Sequence, residues 1–451
     1  MKRLFIMTIL ACASAMAGDG RLSVPSTHFT LSNGLDVILH EDHTLPMIAV
    51  NIWYHAGSAR EKKGRTGLAH LFEHIMFKGS KDVPEGKFEE WLEAAGGDNN
   101  GSTTQDRTNY YEDIPSNALE LPLFLESDRM GFLVDAMSPE KVDGQRDVVK
   151  NERREDYENQ PYGLAPIMIG ENLYPDDHPY RWPVIGSMED LSSASYDDVV
   201  DFFKRYYVPA NASLVIAGDI DPVKAKQLVE HWFSDVPAGA PVPPQPVPVA
   251  FLSEEKRLVL EDKVQIPRLY IAWHTPAQFA PGDAELDLLA YILAGDKNSR
   301  LYKRLVYDLE IAQDVTAGQA SRKLGSVFQV VVTARPGYGL TEIEAVVQEE
   351  INRIRSEPPS QRELDRAVNK YEASFLDRLD DLGEKADLLN EYFSLTGNPD
   401  YFNEDLARYK ALDPQGIRSV ASTYLRDNGR VVLSVVPGGR RELSAGKENR
   451  R

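Results

Sequence analysis

Unbroken or alternating apolar runs of strand type are interleaved along the chain with stretches of helical period. The strand-like runs fall at 35–39, 48–54 and 214–217, and then at 257–260, 269–273, 327–334 and 431–435. Amphipathic helical stretches separate them in both halves. This alternation predicts an α/β (α+β) fold of two domains, each a mixed β-sheet packed with helices. Between Asp235 and Phe251 the sequence Val-Pro-Ala-Gly-Ala-Pro-Val-Pro-Pro-Gln-Pro-Val-Pro-Val-Ala is a stiff, extended linker. The expected division is therefore 25–235, a linker at 236–250, 251–437, and a charged, disordered tail at 438–451.

One helical stretch of the first half breaks its own pattern in an informative way. Leu68, Leu71, Phe72, Ile75 and Met76 form an anchoring stripe, while His70, Glu73 and His74 share an arc of about 100° on the other side. Gly79 is a natural stop for this helix and Thr66 a plausible cap. Two imidazoles at i and i+4 suit zinc, which takes three protein ligands plus a water in catalytic sites. A third ligand must then come from elsewhere. Glu73 is best kept for proton transfer to or from a metal-bound water.

Residues 139–159 read as helical, and Gln145, Val148, Val149 and Glu152 lie within about 60° of one another on it. An unpaired carboxylate on that apolar side is costly, and a metal removes the cost. A salt bridge from Glu152 to Arg146 or Arg153, or exposure at the rim, is the alternative. Glu155, about 60° further round, is the next candidate ligand.

Placing Gly79 over Gly295 lays the same helix over Glu285 to Gly295 and sets Leu286, Leu289 and Ala290 on His70, Glu73 and His74. The halves pattern as copies, and the second has no metal ligands.

Lys2 and Arg3, the apolar run from Leu4 to Ala13 and then Ala15-Met16-Ala17 before Gly18 read as a signal peptide spanning 1–17. The run is too short for stable membrane insertion, and a periplasmic destination is expected. Lipoprotein processing at Cys12 is the lesser alternative, because Leu10 is bulky for its place. Cys12 is the only cysteine, so cleavage after Ala17 leaves a chain without disulfides. Loss of Lys2 and Arg3 moves the formal net charge from −20 to −22, which argues against nucleic acid and anionic membranes as partners. Acidity favours basic peptides as substrates, although solubility alone accounts for it equally well.

Several further segments join His70-Leu71-Phe72-Glu73-His74 in one pattern. They are Trp53-Tyr54-His55-Ala56-Gly57-Ser58 with Glu61, Gly64 and Gly67; Gly96-Gly97-Asp98-Asn99-Asn100-Gly101-Ser102-Thr103 with Asp106, Thr108 and Tyr110; and Gln145-Arg146-Asp147-Val148-Val149-Lys150-Asn151-Glu152. Tyr206-Tyr207-Val208-Pro209-Ala210-Asn211 and Gly218-Asp219 follow. On these segments the chain resembles the pitrilysin-type (M16) metallopeptidases, whose His-x-x-Glu-His signature inverts the usual zinc motif, and in particular their processing-peptidase-like bacterial two-domain branch. The family includes the mitochondrial processing peptidases and insulin-degrading enzyme.

The resemblance implies one zinc ion per chain, held by His70, His74 and Glu152, with Glu73 as general base. It also implies that a peptide substrate adds as a strand beside Asn100, Gly101, Ser102 and Thr103, near the scissile bond. Taken alone, that segment reads as a glycine turn and an ordinary exposed hairpin.

Two departures stand out. Gln145 replaces a second carboxylate that the better-known members carry. After Ser299-Arg300-Leu301, Val306 and Gln313 fall where an Arg and a Tyr would reach the substrate carbonyl, and Arg304 and Tyr307 are out of register. A homologous partner subunit supplying that Arg/Tyr pair is therefore expected. Three function classes follow: a zinc metalloendopeptidase, a non-catalytic structural subunit of the same fold, and a metal carrier. The intact Glu73 favours the first.

Overall fold

The computed structural model describes residues 21–245 and 250–446. The first half forms β1 (Ser26–Thr30), β2 (Asp36–Glu41), β3 (Met47–Tyr54), β4 (Asp98–Thr103), β5 (Thr108–Pro115) and β6 (Ala212–Gly218), in the sheet order β1-β2-β6-β3-β5-β4. The second forms β7 (Lys256–Asp262), β8 (Arg268–Thr275), β9 (Ala312–Ala320), β10 (Ser326–Ala334) and β11 (Arg430–Pro437), ordered β7-β11-β8-β10-β9. Without β1 the two orders coincide strand for strand. In each sheet one parallel pair, β2 with β6 and β7 with β11, adjoins antiparallel neighbours. The chain is thus a two-domain mixed α/β molecule whose sheets repeat one topology.

Strands β3 and β6 are buried almost throughout, so both faces of the first sheet need cover. One face is closed by α1 (Leu68–Ile75) and its neighbours, with Leu71 and Phe72 fully buried and the Phe72 ring 4.2 Å from that of Tyr207. Near it lies α2 (Pro139–Arg153), started by Ser138, whose hydroxyl accepts from the Lys141 N–H, and seated by Val142 and Val149.

The remaining cover is exchanged between the halves. From the first half, α3 (Ala165–Leu173) places Ala165, Ile169 and Leu173 on Tyr270, Ala272 and Leu433 of the second sheet. The second half contributes α4 (Asp283–Ala294), α5 (Gln361–Asp380) and α6 (Leu382–Thr396). Of these, α6 returns to the first sheet, where Ala386, Leu388 and Leu389 pack with Ile38, Ala49 and Val215.

Two expectations need correction. The tail from 438 is folded as far as 446. The Gly439 N–H donates to Glu261, Arg441 pairs with Glu261 at 3.2 Å, and Leu443 and Ala445 pack on the second core. Arg441 finds its partner on β7, Arg440 and Glu442 pair with each other, and two apolar side chains suffice to seat so short a turn. The described part of the linker at 236–245 has no regular secondary structure and lies on the first half: Val236 is buried, and its carbonyl accepts from Asn33 Nδ2 at 3.0 Å. Residues 1–20, which include the expected signal peptide and Cys12, lie outside the described residues, as do 246–249 and 447–451. Among the described residues no helix is long and apolar enough to cross a membrane.

Candidate metal centre

Helix α1 begins at Gly67, not under a Thr66 cap. Gly67 has φ +88°, and a Cβ there would lie 2.8 Å from the Ile185 carbonyl, so the helix starts where only glycine fits. Thr66 is drawn away, giving both its N–H (3.0 Å) and its hydroxyl (2.5 Å) to Asp190. The helix N–H groups are taken instead by buried Glu61, which accepts from Gly67 at 2.9 Å and Ala69 at 2.8 Å. Burial pushes the Glu61 carboxyl up to about 8, against the pull of those two N–H groups. The helix stops before Gly79, at φ +87°.

On the polar side of α1 the rings of His70 and His74 meet edge to face at 4.8 Å. Glu152, in the last turn of α2, reaches both: Oε1 lies 3.5 Å from His70 Nε2 and Oε2 3.2 Å from His74 Nε2. Donor atoms around a tetrahedral zinc, bonded at about 2.0–2.1 Å, stand about 3.3 Å apart, so the Glu152 contacts match the spacing such a shell needs. Among the described residues this is the only His, Cys, Asp and Glu group close enough to hold a metal ion. Burial pushes the His70 imidazole below its ordinary value, which keeps it neutral and able to ligate. Burial also opposes ionisation of Glu152, but the hydrogen bond from His74 and the two neighbouring imidazoles outweigh it and hold the carboxyl low.

The salt-bridge alternatives for Glu152 are not realised, and its side chain is 33% exposed at the rim of the helix face. Arg146 pairs with Asp143, Arg153 pairs with Glu158 and donates to the Gly186 carbonyl, and Glu155 is exposed in the π-helical turn that follows α2. The apolar stripe read on α2 needs one correction: Val148 is 46% exposed, and Val142 with Val149 carries the packing. Glu152 sits at the margin of that stripe, where it can face α1. Gln145 is half-buried two turns earlier.

Glu73 points to the same place and is held from the sheet, since the Thr103 hydroxyl donates to its Oε2 at 2.5 Å. Thr108 Oγ1 lies 3.4 Å from Thr103 Oγ1 and spends its own proton on the Ala56 carbonyl. Thr103 closes β4, the edge strand of its sheet, whose outer side pairs with no other strand among the described residues. Gly101 lets β4 lie close on β5, because a Cβ there would meet the Tyr110 ring at 3.0 Å. Asn100 is exposed and accepts from the Gly101 N–H at 2.8 Å. Ser102 turns to the opposite face of the sheet and donates to Asn109 at 2.7 Å.

In the second half, Leu286, Leu289 and Ala290 of α4 are buried in the apolar core, where metal ligands would be out of place. Val306 is buried there too, while Gln313 is exposed at the start of β9. Arg304 is engaged with Glu349 at 2.7 Å, Tyr307 is exposed, and Arg300 forms a two-pronged pair with Glu363. Reading the sequence overlooked Glu61 and Asp190 as supports of the site. Glu61 stood within the quoted pattern, but no local signal marks Asp190.

A two-domain fold with a His-x-x-Glu-His helix facing a distant glutamate defines an inverted-motif metallopeptidase class. Residues 36–176 match the family model described as Insulinase (Peptidase family M16), and 193–371 match Peptidase M16 inactive domain. The chain belongs to the pitrilysin-type M16 metallopeptidase family. It is 27% identical over 421 residues to the zinc protease PqqE of Helicobacter pylori, covering 90% of this chain and 92% of that one. It is 23% identical to a probable mitochondrial-processing peptidase subunit beta of Arabidopsis thaliana, covering 92% and 79%. The crystal structure of a protease from Helicobacter pylori shares the fold with a TM-score of 0.85 at 24% identity, over 92% of this chain and all of that one. The first half of the periplasmic protease PqqL from Escherichia coli does so at 0.75 and 20% identity, over 94% of each.

Proposed function

We propose that this chain is a zinc-dependent metalloendopeptidase that hydrolyses peptides or unfolded polypeptides, with His70, His74 and Glu152 as the metal ligands. The observation that carries the reading is the spacing of Glu152 from both imidazoles, with Glu73 on the same helix held toward them by Thr103. Zinc bound there would polarise the scissile carbonyl and acidify a water molecule. Oε2 of Glu73 takes the Thr103 hydroxyl and Oε1 has no hydrogen-bond partner among the described residues, so Oε1 is the atom that receives the water proton and passes it to the leaving amine. The open edge of β4 binds the peptide by main-chain hydrogen bonds, which gives affinity with little demand on side chains. Asn100, Gly101, Ser102 and Thr103 are the residues beside it.

The Val306 and Gln313 positions support a heteromer in which a homologous subunit lacking the zinc motif contributes the Arg/Tyr pair. The N-terminal export signal read from the sequence supports a periplasmic location, and the periplasmic protease PqqL of Escherichia coli shares the fold. Replacement of Glu73 by Gln is expected to abolish cleavage of a quenched peptide while zinc content stays at one per chain. Retained turnover would overturn the assignment. Assays of the chain alone and with such a partner test the heteromer, and full activity of the lone chain would sink it.

A further inference from the structure

Helices α1 and α6 close opposite faces of the first sheet, and consecutive residues of β4 report to the two faces. Thr103 points toward α1 and holds Glu73, while Ser102, one pleat earlier, points toward α6. Ser102, Asn109, Trp53 and Ser213 stand opposite one another across β4, β5, β3 and β6, forming one transverse row. The row is hydrogen-bonded into α6. Ser102 Oγ donates to Asn109 Oδ1 at 2.7 Å, and Asn109 Nδ2 donates to Asp387 Oδ1 at 3.2 Å. The same carboxylate oxygen accepts from Trp53 Nε1 at 2.9 Å and Asn51 Nδ2 at 3.3 Å. Ser213 donates to Asn390 at 2.7 Å, and Asp387 and Asn390 are i and i+3 on one face of α6. Arg107, whose guanidinium lies 5.1 Å from the Trp53 ring centre, donates to the Ser102 carbonyl at 2.8 Å and also to its hydroxyl.

Asn51, Asn109 and Trp53 are each less than a tenth exposed. A buried N–H left without an acceptor is costly, so loss of the Asp387 carboxylate frees three donors at once and releases the end of the row on the edge strand.

We propose that Asp387 is a positioning residue through which the second half, itself without metal ligands, holds β4 at the distance from α1 that Glu73 and an incoming peptide require. Chemistry stays on the first half, and α6 supplies the rigidity of the strand on which both Thr103 and the substrate edge lie. The peptidase reading is needed only for the kinetic arm of the test.

The test measures hydrogen–deuterium exchange of the full chain, its zinc content and its kcat/KM, with the partner present if one is required, for Asp387→Ala, Asp387→Asn and Ser102→Ala. Asp387→Ala is expected to exchange the Asp98–Thr103 amides about 10-fold faster, with α1 and the second sheet as protected as before. Its kcat/KM should fall by up to about 100-fold at undiminished zinc content. Asp387→Asn keeps one acceptor oxygen and should lie between Ala and wild type. Ser102→Ala loosens β4 from the other end and decides the matter if Asp387→Ala does not fold. Exchange in β4 within about 2-fold of wild type overturns the proposal, as does faster exchange spread evenly over the first half. If the wild-type chain cleaves nothing in any assembly, the peptidase reading fails and the exchange arm still decides the role of Asp387.

Discussion

The Thr103 hydroxyl donates to Glu73 Oε2 at 2.5 Å, tying the edge strand of the first sheet to the helix that carries both histidines. A hydrogen bond to a charged group is worth about 1.5–3 kcal/mol, so Thr103→Val should lower kcat by about 10- to 100-fold. Zinc content should not change, and Thr103→Ser should recover most of the rate. Steady-state kinetics with metal analysis checks this. Full activity in Val would show that the hydroxyl is not needed, and equal losses in Val and Ser would show that the hydroxyl alone does not carry the effect.

Metal binding should register in stability as well as in activity. Zinc at about 100 times its Kd stabilises the folded chain by about 2.7 kcal/mol, visible as a rise in Tm when zinc is added to metal-free protein. Glu152→Gln should lose most of that rise while its metal-free Tm stays near wild type, because Glu152 lies at the margin of the core and not in it. Thermal scans with and without zinc separate the two.

Gly67→Ala should be among the most damaging small substitutions near the site. It places a Cβ at φ +88° and 2.8 Å from the Ile185 carbonyl, at the point where α1 begins. A loss of at least about 2 kcal/mol in unfolding free energy is expected, with weaker zinc binding because His70 lies in the first turn. Urea titration and competition with a chelator measure both.

Asp113 provides a pH test. Burial first, then the charges of Asp98 opposite it and of Asp381, push its carboxyl up to about 6. A carboxyl raised in the folded state contributes stability while protonated. That contribution is full below about 4 and is lost as pH rises through about 6. Asp113→Asn should therefore exceed wild type in stability at pH 8, by about 1 kcal/mol after allowance for solvent screening, and match it at pH 4. An equal gain at both pH values would contradict the charge explanation.

The His70 to His74 pattern was legible because its five residues are neighbours on a single turn, where 3.6-residue geometry alone sets their directions. Glu152 was reached by asking which carboxylate shares a helix face with valines, although Val148 turned out to be solvent-facing. The duplicated topology showed in the run of strands and in the overlay of α1 on α4. Strand β4 was harder to see, since Asp98 to Thr103 contains no apolar residue and its strand character comes from pairing with β5. The expected Thr66 cap failed because Asp190, 124 residues away, competes for the same hydroxyl.

Periodicity, ligand chemistry and the linker by themselves determined the two halves and the helix that bears both histidines, because those properties depend on residues close in sequence, whereas the choice of Glu152 over Glu155 came from the family resemblance. The crossing of α6 onto the first sheet, Glu61 at the start of α1 and the Asp387 row were decided only by tertiary structure. The Asp387 contacts join residues 278 to 336 positions apart, and no local preference records which distant helix will close a sheet face. Burial of both faces of β3 and β6 demands some cover, and the packing of the whole chain selects which helix provides it.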